Sequence, residues 1–175
     1  MIDYTPWNEK DYHQIFIHEA KELIEIFRNE IVELHHFGST SVKDLPGNQT
    51  IDILPIVKTL SQVSLYIDKM EAIGYKEVEV KEMTDEQCRL FVAKKNQLTF
   101  YVTMIERTNF NAITRRLALR DYLREHKLER LAFAKFKMQQ ALQYRNDFNT
   151  YNVTKNDYIL KLEAKALRWY EAKRG

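Results

Sequence analysis

The chain has 175 residues, of which 45% are hydrophobic and 30% charged, as expected for one soluble globular domain with a sizeable core. No apolar run approaches the roughly 18 to 20 residues that a membrane helix needs, and the single cysteine, Cys88, excludes an intramolecular disulfide. The net charge is only +2, and the first ten residues lack the pattern of a signal peptide. We therefore predict a single domain over residues 1–175, located in the cytoplasm and without a membrane partner.

The charge is distributed unevenly along the chain. Residues 107–175 hold 16 Lys and Arg against 7 Asp and Glu, whereas residues 1–106 hold 11 against 18. A basic C-terminal half could draw a phosphate-bearing small molecule or RNA into a cleft between the halves. Equally, its helices could carry solvated Lys and Arg on their outer faces.

The strand signals are confined to the first 106 residues. Apolar residues recur at helical spacing from Tyr12 to Phe27, with Asn8 as the predicted N-cap. Strands are predicted at 31–37, 50–57, 75–80, 88–94 and 98–105, with a helix that ends at Gly74 and a turn at 95–97.

Beyond Glu106 the pattern is helical. Asn109 is the predicted cap of a helix that reaches about His126, and a second helix covers about 129–145. A third begins at Thr154, after a polar stretch at 146–153 that we interpret as a linker. The fold class is therefore α+β, with a mixed sheet of four or five strands in 1–106 and a helical portion in 107–175.

The stretch from His36 to Val57 has the composition of a phosphate site. Gly38 would let the backbone approach a ligand closely, and three hydroxyl residues follow it. The next strand is apolar apart from Asp52, and a buried carboxylate needs a partner. That partner could be a metal ion or a ligand, or, in a structural role, the hydrogen-bond donors of the turn.

This stretch resembles the signature of the GrpB family, an uncharacterised family of the nucleotidyltransferase superfamily. The matching positions are His36, Gly38, Ser39, Thr40, Ser41, Val42, Leu45, Ile51, Asp52 and Ile53. Further matches lie at 4–7, 118–126, 133–137 and 158–169, so the resemblance covers nearly the whole chain. The chain departs from the family pattern at Lys43-Asp44 (Pro-Gly), at Asn48-Gln49 (Lys-Pro), and at Tyr101 and Thr103 (a His-x-His strand).

The resemblance implies a nucleotidyltransferase-like sheet with a site around the glycine turn. Asp52 and Ser39 are the predicted catalytic residues, and Asp52 is the predicted ligand of Mg²⁺, held weakly unless a nucleotide is present. The predicted phosphate-binding residues are His36, Gly38, Ser39, Thr40, Ser41, Asn48, Arg120 and Lys137. Structural alternatives exist for three of them: His36 as a core residue, Arg120 as a partner of Asp121 or Asp52, and Lys137 as a solvated side chain.

Two functions of different classes fit these residues. The first is an enzyme that transfers a nucleotidyl group from a nucleoside triphosphate to an acceptor, which requires Mg²⁺ held by two or three carboxylates. In the superfamily a second acid commonly lies two positions from the first, but the residues two positions from Asp52 are Thr50 and Leu54. Asp44 or Glu106 would therefore have to complete the set of carboxylates. The second is a non-catalytic module that binds a nucleotide, a coenzyme-A-like molecule or an RNA phosphate.

Overall fold

The computed structural model describes residues 12–47, 49–79, 87–145 and 147–174, without the side chains of Phe148, Asn152 and Arg174. The helices are α1 (Tyr12–Phe27), α2 (Ile67–Ala72), α3 (Phe110–Glu125), α4 (Lys127–Gln143) and α5 (Phe148–Arg174). The strands are β1 (Ile31–Phe37), β2 (Thr50–Val57), β3 (Lys76–Val78), β4 (Cys88–Lys95) and β5 (Leu98–Glu106). Short 3-10 turns cover Arg28–Glu30, Ser39–Ser41 and Leu60–Tyr66. Among these described helices, none combines the length and apolar character that crossing a bilayer would take.

The five strands form one mixed sheet in the order β1-β2-β5-β4-β3. β2 pairs with β5 in parallel, and the other neighbours are antiparallel. β2 is buried along most of its length, as its apolar sequence predicts for an inner strand. The mixed sheet of the prediction is confirmed, and no described residue beyond 106 adds a strand to it.

Helices cover both faces of this sheet. Ile51 of β2 packs in one apolar cluster with Leu23 of α1. Leu54 lies in a different cluster, with Leu117 of α3. Because successive strand side chains point to opposite faces, Asp52 shares the α3 face with Leu54.

The helical half packs over the loop that joins β1 to β2. Val42 and Leu45 of that loop are buried and belong to one apolar cluster with residues of α3, α4 and α5. The loop is therefore held between the sheet and the helices, and side chains of α4 and α5 can reach the end of β1.

One predicted boundary is wrong. Residues 146–153 were interpreted as a linker, but α5 begins at Phe148, six residues before Thr154. The Asp147 carboxylate accepts hydrogen bonds from the Thr150 N–H (3.0 Å) and the Thr150 hydroxyl (2.6 Å), so it acts as the N-cap. Tyr151 is fully buried and fixes the first turn of the helix against the rest of the protein.

The smaller elements agree with the sequence more closely. Gly74 has φ +89°, the left-handed conformation predicted for the end of the helix before it. The predicted strand 75–80 is observed only at Lys76–Val78, and Val80 lies outside the described residues. The Asn8 cap, the family-like segment 4–7 and the predicted phosphate ligand Asn48 also lie outside them.

Candidate functional site

The turn after β1 lies directly on the carboxylate of Asp52. Gly38 has φ +70°, and its carbonyl accepts hydrogen bonds from the Ser41 N–H (3.2 Å) and the Ser41 hydroxyl (2.7 Å). A Cβ atom on Gly38 would lie 2.2 Å from Oδ2 of Asp52, far inside contact distance. Glycine is therefore required twice here, for the backbone conformation and for the space that the carboxylate occupies.

Asp52 is the third residue of β2, an inner strand of the sheet. It lies opposite Tyr101 in the parallel pair of β2 and β5, and both residues point toward α3 with Thr103. Burial raises the pKa of Asp52 from 3.8 to about 6, although the nearby ammonium groups of Lys155 and Lys137 oppose that shift. The neighbours that face this carboxylate are thus cations.

Lys137 of α4 reaches into this region from the helical half. It is 3% exposed, and its Nζ donates to Oγ of Ser39 (2.7 Å) and to the carbonyl of Pro46. Burial lowers the pKa of Lys137 from 10.5 to about 7, Lys155 lowers it further, and Asp52 opposes both. The side chain is buried, so the solvated alternative from the sequence does not hold.

Lys155 of α5 is a site residue that the sequence prediction missed. Burial lowers its pKa, and Asp52 acts in the opposite direction. The signal was available: Tyr151, Lys155, Tyr158 and Leu162 follow one another at steps of four, three and four residues, which places a lysine on the apolar stripe of α5. The linker interpretation obscured that stripe because it excluded Tyr151 from the helix.

Two residues predicted to bind phosphate point into the protein instead. Thr40 is 2% exposed, and its hydroxyl donates to the Thr50 carbonyl (2.8 Å) and contacts Nε2 of His36 (3.1 Å). The His36 ring stacks on Phe16, and burial, the largest cause, lowers its pKa to about 3. A neutral, stacked imidazole and an internally bonded hydroxyl stabilise the turn, so we assign both a structural role.

This assignment predicts the effect of Thr40→Val. Valine keeps the shape but leaves the Thr50 carbonyl without its donor, which should lower the free energy of unfolding by about 1–3 kcal/mol. Phosphate affinity should stay within about threefold of wild type, as measured by calorimetry alongside urea denaturation. An unchanged stability together with a large loss of phosphate affinity would return Thr40 to the ligand set.

Arginines of α3 bind backbone carbonyl groups at the end of β1 and in the turn that follows it. Arg120 donates to the His36 carbonyl (3.2 Å) and to Oδ1 of Asp121 (2.7 Å). Arg124, which the sequence prediction missed, donates to the Ser41 carbonyl through Nε (3.1 Å) and Nη2 (2.8 Å). Arg120 therefore makes the predicted structural pair with Asp121. It also lines, together with Ser39, a cavity of about 160 Å³.

Among the residues that the structure describes, no second carboxylate of the predicted set converges on Asp52. Asp44 is exposed in the loop. Glu106 lies five strand positions away, roughly 17 Å along the sheet, and its oxygens accept from the Leu60 N–H (3.1 Å) and the Thr108 hydroxyl (3.0 Å). No group of three His, Cys, Asp or Glu residues with the arrangement of a metal site occurs among the described residues. A single carboxylate facing two ammonium groups does not fit a protein-held Mg²⁺.

Comparison with other sequences gives one consistent family. A family model described as GrpB protein matches residues 3–165. The chain is 34% identical over 168 residues to the UPF0157 protein YqkA of Bacillus subtilis, covering 96% of this chain and 48% of that protein. It is 25% identical over 166 residues to the UPF0157 protein BH1888 of Halalkalibacterium halodurans, covering 95% and 81%. The chain thus spans about half the length of YqkA.

Comparison with solved structures gives the same family and a broader fold. The crystal structure of the conserved protein GrpB from Enterococcus faecalis superposes with a TM-score of 0.87 at 28% identity, covering 96% of this chain and 99% of that one. Cid1 in complex with its short product ApU gives a TM-score of 0.54 at 14% identity, covering 78% and 42%. A cytoplasmic RNA terminal U-transferase gives 0.56 at 15%, covering 79% and 43%. The fold is therefore nucleotidyltransferase-like.

Proposed function

The chain belongs to the GrpB family, and we propose that it is a binding module for nucleotides or other phosphate-bearing small molecules. In this proposal Ser39, Lys137 and Lys155 bind the phosphate. Asp52 supports the two lysines and accepts a hydrogen bond from a ribose hydroxyl. The observation that carries the proposal is that two ammonium groups, of the buried Lys137 and the half-buried Lys155, act on the single carboxylate of Asp52 beside the glycine turn.

The charges support an anionic ligand. Asp52 raises the pKa of Lys137 and of Lys155, but burial is the larger cause and lowers both, so Asp52 does not fully offset the cost of desolvating the two ammonium groups. A phosphate group with roughly two negative charges would compensate the remaining positive charge and accept charge-assisted hydrogen bonds. A Ser39 hydroxyl that already accepts from Lys137 is placed to donate its proton to the same phosphate.

The proposal favours a small molecule over a long RNA. Lys137 is 3% exposed and lies behind the turn, so only a terminal phosphate or a compact nucleotide could reach it.

Nucleotidyl transfer is the second candidate, and the observation that favours it is the nucleotidyltransferase-like fold. Likeness at 14–15% identity supports the fold alone, so the reactions of those proteins are not carried over. The reaction needs two or three carboxylates around Mg²⁺. The residues two positions before and after Asp52 are Thr50 and Leu54, and neither supplies a second carboxylate.

Calorimetric titration of nucleoside triphosphates, with and without Mg²⁺, separates the two candidates. The binding module should bind in both conditions and release no pyrophosphate over hours. Binding that requires Mg²⁺, with pyrophosphate released when RNA or small alcohols are offered as acceptors, would contradict the module and favour the enzyme.

The Asp52→Asn variant tests whether Asp52 is a ligand of Mg²⁺, without changing either lysine. We expect the ratio of nucleotide affinities with and without Mg²⁺ to lie within about threefold of one, in wild type and variant alike. Absolute affinity should fall more at pH 7.5 than at pH 6, because Asp52 helps to keep Lys137 protonated. Asp44→Asn, an exposed carboxylate of the adjacent loop, is the matched control. A large Mg²⁺ ratio in wild type that Asp52→Asn abolishes would make Asp52 a metal ligand.

A further inference from the structure

A cavity lies beside the glycine turn and is lined by Gly38 and Ser39. It is enclosed by the end of β1, the following loop and helices α3, α4 and α5. Most of its wall is apolar, including Phe37, Leu119 and Phe133. It is distinct in composition from the cation cluster at Asp52, although the two share Ser39.

The size of the cavity limits what it can hold. Its volume of about 160 Å³ is below the roughly 300 Å³ at which pockets for drug-sized ligands begin. A cavity of about 150 Å³ lined by apolar side chains is known to accept benzene. The space therefore matches one six-membered ring more closely than the larger fused ring of a purine.

The polar groups of the cavity select against a plain hydrocarbon ring. Glu163, Arg116 and Arg120 line it, and they bring a carboxylate acceptor and guanidinium donors to the same enclosed space. Burial raises the pKa of Glu163, and the neighbouring Arg115 and Arg116 oppose that shift. A ring that carries both donors and acceptors on its edge would match this mixture, as the pyrimidine bases do.

The cavity and the proposed phosphate site are adjacent. Ser39 lines the cavity and accepts a hydrogen bond from Lys137. The Lys137 ammonium also lies 5.6 Å from the centre of the Phe133 ring, which forms part of the cavity wall. One small molecule with a phosphate and a ring could therefore occupy both.

We propose that this cavity is a ring subsite for pyrimidine nucleotides, with the phosphate at Ser39 and Lys137 and the base against Phe133 between Glu163 and the guanidinium groups. The inference depends on the proposed function, since the phosphate site fixes where the ring enters. It adds the ligand class, and it predicts discrimination against purines by size.

Titration with four probes, without metal, tests the subsite. Uridine or cytidine monophosphate should bind at least about tenfold more tightly than inorganic phosphate, and adenosine monophosphate should bind no more tightly than inorganic phosphate. Equal affinity for the purine and pyrimidine monophosphates, or no gain of the pyrimidines over inorganic phosphate, would overturn the proposal.

Filling the cavity provides the matched variant. Leu119→Phe should abolish the gain of the pyrimidine nucleotides and leave the affinity for inorganic phosphate unchanged, whereas Leu131→Phe on an exposed face of α4 should change neither. If the cavity is only a packing void, Leu119→Phe will stabilise the protein and leave all affinities alone. If Leu119→Phe does not fold, Glu163→Gln is the second variant. We expect it to weaken the binding of pyrimidine nucleotides and to leave the affinity for inorganic phosphate unchanged.

The two proposals fail separately. If inorganic phosphate does not bind, the proposed phosphate-binding function is wrong. Titration with uridine, which has the ring but no phosphate, then tests the ring subsite separately. Uridine binding that Leu119→Phe abolishes would support the subsite, and absence of uridine binding would overturn it.

Discussion

Replacing Lys137 with methionine should lower the affinity for inorganic phosphate and for nucleotides by at least about tenfold, because a charge-assisted hydrogen bond contributes about 1.5–3 kcal/mol. Methionine keeps the unbranched stem that passes Phe133 and removes the ammonium group. The fold should survive, since the variant also relieves the cost of burying a cation. Calorimetry with inorganic phosphate measures the loss directly.

Lys135→Met is the matched control, because Lys135 lies on the same helix and is exposed. It should leave phosphate affinity unchanged. Equal losses in the two variants would mean that Lys137 contributes only through the general positive charge of the helical half, and the proposed site would be wrong.

The same variant has a signature in the pH dependence of stability. The pKa of Lys137 is about 7 in the folded chain and near its ordinary 10.5 when unfolded. Between these values the unfolded state binds more protons, so the free energy of unfolding should rise with pH by up to about 1.4 kcal/mol per unit. Lys137→Met should show a smaller rise, because the contribution of Lys137 is removed while Lys155, whose pKa burial also lowers, still contributes. Urea denaturation at pH 7 and pH 9 measures it.

Gly38→Ala should be the most destabilising small substitution in the site, with a loss of several kcal/mol in the free energy of unfolding. The alanine Cβ would meet Oδ2, Cγ and Cβ of Asp52 at 2.2, 2.9 and 3.1 Å. Either the turn or the carboxylate must move, and a displaced Asp52 would change its position relative to the lysines. Phosphate affinity should therefore fall together with stability.

Gly74→Ala separates the steric clash from backbone strain. Gly74 also has a positive φ, but a Cβ there would meet only Cε of Lys95, at 3.9 Å. Its cost should be the left-handed backbone alone, about 1–2 kcal/mol. A Gly38→Ala cost no larger than that would show that Asp52 does not lie against the turn.

The sequence was sufficient for the central part of the fold. β1 and β2 were predicted with the bounds that the structure gives, because β2 is a mostly apolar run and β1 ends at the glycine and hydroxyl residues of the turn. The proximity of Gly38 to Asp52 also followed from the sequence, since the turn and the acid belong to consecutive strands that pair antiparallel, with Phe37 opposite Asp52.

The directions of individual side chains did not follow from the sequence. Thr40 and His36 belong to a hydroxyl-rich motif that suggests a ligand, but the 3-10 turn directs Thr40 inward, where Thr50 offers an acceptor. Lys155 was missed because residues 146–153 were interpreted as a linker, which excluded Tyr151 from the apolar stripe of α5. Long-range packing decides the directions of Thr40 and His36, and the local sequence pattern does not contain that information.

Phosphate binding at Lys137 should change the ionisation of that lysine, which nuclear magnetic resonance can follow. In protein with carbon-13-labelled lysine, the Lys137 side-chain resonance can be assigned by its absence from the Lys137→Met spectrum. It should titrate with a pKa of about 7 in the free protein, and saturating inorganic phosphate should raise that pKa because the anion favours the charged form. A pKa near the ordinary 10.5 in the free protein, or one that phosphate leaves unchanged, would contradict phosphate binding at Lys137.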